Sequence, residues 1–175
     1  MFHLILILRI IPLRNLLNLR RILGIDPGIQ STGFGIIDCE KSKLVPVKFG
    51  TVNPPTNKKI ADRLSHLYND IVSIIKSVNP TEMAIEEAFF SKNAKSALVL
   101  GQARGVTLLA AAHHKIGSFE YSPRKVKMSV AGNGAASKQQ VQYMIKSMLN
   151  LSDIDINFDI SDALAVAICH INNHR

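Results

Sequence analysis

Cysteine is nearly absent from this chain. Its two cysteines, Cys39 and Cys169, stand far apart and form no CxxC spacing, so neither a disulfide framework nor a cysteine-based zinc site is available. That scarcity fits a reducing, cytoplasmic compartment. The histidines at 3, 66, 113, 114, 170 and 174 form no HExxH motif, which removes a metalloprotease-type centre. No Walker sequence occurs either, and the short Gly132-Asn133-Gly134 run reads as a flexible loop. Internal repeats and low-complexity segments are missing.

Long apolar runs are also missing. Residues 1–20 are rich in Leu and Ile, but Arg9, Pro12 and Arg14 interrupt them well short of the ~20 apolar residues that span a bilayer. The segment has no charged start ahead of an unbroken apolar stretch and no small-residue cleavage site, as a secretory signal requires, and no serine, which mitochondrial presequences usually contain. Residues 1–20 are therefore read as an N-terminal extension outside the fold, of the kind an early-assigned start would add. Residues 21–175 are expected to form a single domain, with no membrane partner.

What is present suffices for one core. A chain of 175 residues, 47% hydrophobic, is too short for two ordinary enzyme domains. The net charge of +8 points to a polyanionic partner, and its distribution is more informative than its sum. Residues 92–146 hold nine basic residues and one acid, whereas residues 22–91 hold eight acids and residues 147–175 four. Cations to hold phosphates, flanked by acids to hold metal, are the layout of a nuclease.

The periodicity predicts an α/β domain. RILGID, TGFGIIDCE and LVPVKFGTV read as three strands of a meander joined by short turns, with Pro46 placing the third near an edge. Apolar residues at 60, 64, 67, 71, 74, 75 and 78 predict a helix ended by Asn79-Pro80. A buried strand follows at 83–89, parallel to its neighbour after the crossover. A very apolar helix at 94–114 must be deeply buried or used for association. A short strand at 118–122, a loop containing Gly132–Gly134, and helices at 137–149 and 160–173 complete the expectation.

The candidate chemistry lies in carboxylates. Asp26 ends an apolar strand, where an unpaired acid is costly and a divalent metal would offset the cost, although an Asp before Pro-Gly also serves a turn. Glu86 and Glu87 sit inside an apolar run, and alternation allows only one of them on a given face. Asp159 and Asp162, three apart, project from one face at the start of a helix, where the macrodipole favours acids and capping is the competing explanation.

Taken together, RILGIDPGIQSTGFG (21–35), AIEEAF (84–89), NAKSALVLGQARG (93–105) and DISDALAVA (159–167) resemble the RuvC family of Holliday-junction resolvases, in order and over residues 21–172. The resemblance implies an RNase H-like α/β fold, a five-stranded mixed sheet flanked by helices. It also implies that Asp26, Glu86, Asp159 and Asp162 are catalytic ligands of two Mg2+ ions, for which Mn2+ can substitute, with Asp26 bridging them. Phe89 then meets bases at the junction centre, and Lys127 and Lys138 match basic residues of the catalytic surroundings, while Arg124 and Lys125 are candidate phosphate contacts. The implied partners are four-way junction DNA, a second copy of the chain through the helix at 94–114, and the branch-migration complex of RuvA and RuvB. The implied products carry 5′-phosphate and 3′-hydroxyl ends. Two rivals share features with this reading: an actin-like or sugar-kinase-like ATPase, which needs a longer, two-domain chain, and an RNase H-like binding module that has lost one or more of its acids.

Overall fold

The computed structural model describes residues 5–6, 19–87 and 94–174. Strands β1 (Ile5–Leu6), β2 (Arg20–Asp26), β3 (Thr32–Glu40) and β4 (Lys43–Val52) precede helix α1 (Ile60–Val78) and strand β5 (Glu82–Glu86). Helix α2 (Ala94–His113), strand β6 (Gly117–Tyr121) and helices α3 (Pro123–Ala131), α4 (Lys138–Met148) and α5 (Phe158–Asn173) follow. The sheet order is β1-β4-β3-β2-β5-β6. β2, β3 and β4 form the expected antiparallel meander, and β5 and β6 extend it in parallel. Strands β2 to β6 are the five-stranded mixed sheet of the RNase H-like fold. The two residues of β1 pair antiparallel with Phe49 and Lys48 on the outer edge of β4, and Arg20 opens β2.

Alternation along the strands sorts side chains into two cores. Leu23, Ile25, Phe34, Ile36, Met83 and Ile85 pack with α1 and α2. Ile22, Ile37 and Ala84 belong to the opposite core, with α3, α4 and the almost wholly buried α5. Parity thus places Asp26 and Glu86 on the α5 side, because they follow Gly24 and Ala84, neighbours in the β2–β5 register.

Two glycines let α5 approach the sheet. A Cβ on Gly24 would land on the carbonyl oxygen of Ala163, and one on Gly33 on that of Asp159. Since Gly33 pairs with Asp26 across the β2–β3 ladder, the same contact that seats the helix sets its first turn beside the end of β2.

Two structural acids are paired. Arg21 grips the buried Asp38 through two hydrogen bonds of 2.7 and 2.8 Å. At the start of β5, Glu82 accepts from Arg20 at 2.7 Å and lies 3.1 Å from His170 Nε2, while His170 Nδ1 lies 2.7 Å from the Tyr121 hydroxyl. This network ties β2, β5 and β6 to the C-terminal half of α5.

The helix at 123–131 departs from the loop expected there. Ser122 caps it by accepting from Lys125 N–H, Pro123 opens it, and Gly132 closes it in the left-handed region at φ 68°. It is short and carries three cations, so only two residues, Val126 and Val130, reach the core, too few to register as an apolar stripe.

Gly33→Ala is expected to lower the free energy of unfolding by about 2 kcal/mol, because the backbone of α5 rather than a flexible side chain must move. Urea denaturation measures this, and an unchanged midpoint and slope would contradict the close seating of α5.

Candidate active site

Four carboxylates converge on the α5 side of the sheet at the C-terminal ends of the parallel strands β2 and β5. Asp26 ends β2, Glu86 ends β5, Asp159 lies in the first turn of α5 and Asp162 follows at the start of the second. Burial, followed by the charges of Glu86, Asp162 and Asp159, pushes the Asp26 carboxyl up to about 8, against the opposing charge of Lys138. Burial and then Asp162 push Glu86 up to about 7, with Lys138 and Lys127 opposing. Each of the other three acids therefore acts on Asp26 through space. Glu82, at the other end of β5, behaves in the opposite way: burial raises its carboxyl, but Arg20 and His170 outweigh that and hold it below its usual range.

The competing structural roles are filled by other residues. Asn157 is the N-cap of α5, its side chain accepting from Ile160 N–H at 3.0 Å, so neither Asp159 nor Asp162 caps the helix. The turn after Asp26 is closed by Thr32, whose hydroxyl donates to the Gly28 carbonyl at 2.5 Å and accepts from Gly28 N–H at 3.1 Å. Glu87, the alternative to Glu86, is exposed beyond the end of β5.

Both α5 acids are held. Lys138 Nζ donates to Asp162 Oδ2 at 2.7 Å and lies 5.9 Å from the centre of the Phe158 ring. Its position follows from the capping box of α4, in which Ser137 and Gln140 bond reciprocally around the helix start. The Ser31 hydroxyl donates to Asp159 Oδ2 at 2.5 Å. Among the described residues, no three Asp, Glu, His or Cys side chains are disposed to hold a metal ion jointly. The acids share one field, and Ser31 and Lys138 each hold one of them.

The basic candidates separate. Lys127 and Lys138 reach the field of the acids. Lys125 lies over the Tyr121 ring at 5.1 Å, and the exposed Arg124 lies against Gly134 in the α3–α4 loop. Phe89 falls outside the described residues. Ser31, Asn157 and Phe158 had no assigned role in the sequence. Asn157 could have been found as a cap residue before an apolar run, but nothing local marks Ser31, whose partner lies 128 positions away.

An acid cluster at the strand ends of a five-stranded mixed sheet, beside a helix-borne lysine, defines the RNase H-like nuclease class. A family model for crossover junction endodeoxyribonuclease RuvC matches residues 22–170. Curated proteins of that description from Halothermothrix orenii and Ruminiclostridium cellulolyticum are 45% and 47% identical to this chain, each over 88% of it and 93% of their own length. The solved structure of T. thermophilus RuvC in complex with Holliday junction substrate superposes with a TM-score of 0.84 at 28% identity, over 89% of this chain and 95% of that one. The chain belongs to the RuvC family of crossover junction endodeoxyribonucleases.

The raised carboxyls predict a pH dependence for the metal-free protein. Unfolded carboxyls titrate near about 4, so folding favours the protonated forms of Asp26 and Glu86. Their contribution to stability is complete below about pH 4 and is lost as pH rises through about 7 and 8. With EDTA present, the melting temperature is expected to fall between about pH 5 and pH 8.5, and Asp26→Asn, which cannot ionise, is expected to flatten that fall. Parallel curves for parent and variant would show that Asp26 is not under this load.

Proposed function

We propose that this chain resolves Holliday junctions by metal-dependent hydrolysis of DNA phosphodiesters, with Asp26, Glu86, Asp159 and Asp162 as its catalytic carboxylates. The observation that carries this reading is the gathering of these acids into one site, where burial and the neighbouring acids destabilise the charged forms of Asp26 and Glu86. The donor set fits Mg2+: hard carboxylate oxygens in negative excess, next to cations too few to neutralise them. Asp26, Glu86, Asp159 and Asp162 would hold two Mg2+ ions, or Mn2+ in their place, which would supply a Lewis acid for the attacking water and positive charge for the phosphoryl and leaving oxygens.

The chain's own residues do the rest. Asp26, in the field of all three other acids, is the carboxylate proposed to be shared by both ions. Lys138 holds Asp162 and supplies a positive charge at the mouth of the site for a backbone phosphate, and Lys127 adds a second. Arg124 and Lys125 on α3, in the same basic block of the sequence, are proposed as further phosphate contacts. Phe89 is proposed to stack on bases at the junction centre.

A homodimer forms part of this proposal. Leu98 and Leu109 on α2 are 65% and 48% exposed, and a Cβ on Gly101 or Gly105 between them would meet nothing. These four residues line one face of α2, open to the close approach of a second helix. Two copies related by a two-fold axis match a junction of near two-fold symmetry and place symmetric nicks in strands of like polarity, leaving 5′-phosphate and 3′-hydroxyl ends. RuvA and RuvB are the proposed branch-migration partners. Among the described residues no helix is long and apolar enough to cross a membrane, and the proposed setting is the cytoplasm.

Incubated with a labelled four-way junction and Mg2+, the protein is expected to make paired nicks, slowed by about 10²-fold or more in Asp162→Asn. Intact junctions of varied sequence in both Mg2+ and Mn2+ would refute the catalytic assignment. Light scattering is expected to show a dimer that Leu98→Glu converts to monomer, and a parent protein that stays monomeric with and without DNA would refute the dimer.

A further inference from the structure

We propose that Ser31 is a positioning residue for the metal site, holding the Asp159 carboxylate in a ligating orientation before any ion arrives. The proposal rests on the reading of Asp159 as a metal ligand and deepens it. The backbone of Asp159 is fixed already, since its carbonyl lies over Gly33 and Asn157 caps the helix turn that contains it. Its side chain, however, can still rotate about two torsions. The hydroxyl of Ser31 removes that freedom by donating to Oδ2 at 2.5 Å, within the range of a short charge-assisted O–H···O bond. A carboxylate has further lone pairs, so this bond leaves acceptor sites for an ion.

The loop that carries Ser31 is built to hold it still. Thr32, fully buried, closes the turn on Gly28 from both its donor and acceptor sides. From the other core, Arg63 of α1 reaches across and donates to the Ile29 carbonyl at 2.8 Å. The turn between β2 and β3 is thereby anchored at Gly28, Ile29 and Thr32, around the residue that touches Asp159. A groove between the β2–β3 turn with Asp159 and the start of α2, where Lys95, Ser96, Val99 and Leu100 line it, opens this contact to solvent.

Lys138 and Ser31 thus do different work on the two acids of α5. Lys138 brings a charge, which an arriving cation must share or displace. Ser31 brings only a dipole, which orients its acid without competing for it. Outer partners of this kind lower the cost of ordering a ligand, and their loss weakens metal binding by about 10- to 100-fold.

The test is Mn2+ binding to the full chain without DNA, followed by the electron paramagnetic resonance signal of the free ion, for the parent, Ser31→Ala, Ser31→Thr and Asp159→Asn. Ser31→Ala is expected to weaken Mn2+ binding by about tenfold while leaving the metal-free melting temperature unchanged, and Ser31→Thr, which keeps the hydroxyl, to restore it. On junction DNA at a fixed low Mn2+ concentration, the alanine variant should lose kcat with KM unchanged. If Ser31→Ala binds Mn2+ like the parent while Asp159→Asn does not, the role of Ser31 is overturned and Asp159 stands as a ligand. If Asp159→Asn also binds like the parent, the ligand reading falls and the proposal falls with it. A threonine variant no better than alanine would overturn the role of the hydroxyl.

Discussion

The close seating of α5 on β2 and β3 is the constraint on which the remainder of this molecule depends. A helix normally stands off a sheet by the length of the side chains between them, about 10 Å from axis to plane. Here the positions beneath Ala163 and Asp159 carry no side chain, and the helix backbone rests on the strand backbone. Its N-terminal end, with Asp159 and Asp162, is thereby brought to the end of β2, which carries a third acid. The second core, with α1 and α2, fastens the other face of the same strands, and the paired network of Arg20, Glu82, His170 and Tyr121 pins the far end of the helix. A site made from three separate elements needs such rigidity, because a carboxylate cluster repels itself and any looseness would let the acids drift apart.

Burial of acids in this protein takes two forms, and the contrast separates structure from function. Asp38 and Glu82 are given arginine partners with good geometry, and such pairs can stand inside a fold at little net cost. Asp26 and Glu86 are given each other and two more acids, so the fold holds them at the expense of its own stability. In the proposed reading a divalent cation would relieve that load, and its binding would stabilise the chain. Asp26 and Glu82 look alike in the sequence, each an acid bordering a short apolar strand, Asp26 as the last residue of β2 and Glu82 as the first of β5. Only the neighbours across the sheet distinguish them.

That difference explains how much could be read without coordinates. The meander, the crossover helix and the buried strand follow from periodicity and turn residues, since local preference and tertiary packing agree there. Helix α3 escaped because its helical character rests on caps at Ser122 and Gly132 rather than on an apolar stripe. The four acids were visible as candidates, yet each had a competing local role that the sequence could not dismiss. The structure assigns two of those roles elsewhere, to Asn157 for the helix cap and to Thr32 for the turn. Glu86 was favoured over Glu87 by resemblance alone, whereas parity with Ala84 now supplies a physical reason.

The two hydrogen bonds on the α5 acids divide the demands of catalysis between them. An empty cluster of carboxylates must be kept open enough to admit an ion and ordered enough to bind it at once, and a single device cannot do both. A lysine on Asp162 offsets repulsion but competes with the ion, so it has to be mobile. That suits a long flexible side chain at the exposed start of α4. A serine on Asp159 adds order without charge, so it can be rigid, which suits a short side chain on a turn fastened at both ends and to α1. The chemistry of each partner thus follows from where it is anchored: the mobile charge at the exposed start of α4, and the fixed dipole on the inner turn that belongs to the sheet.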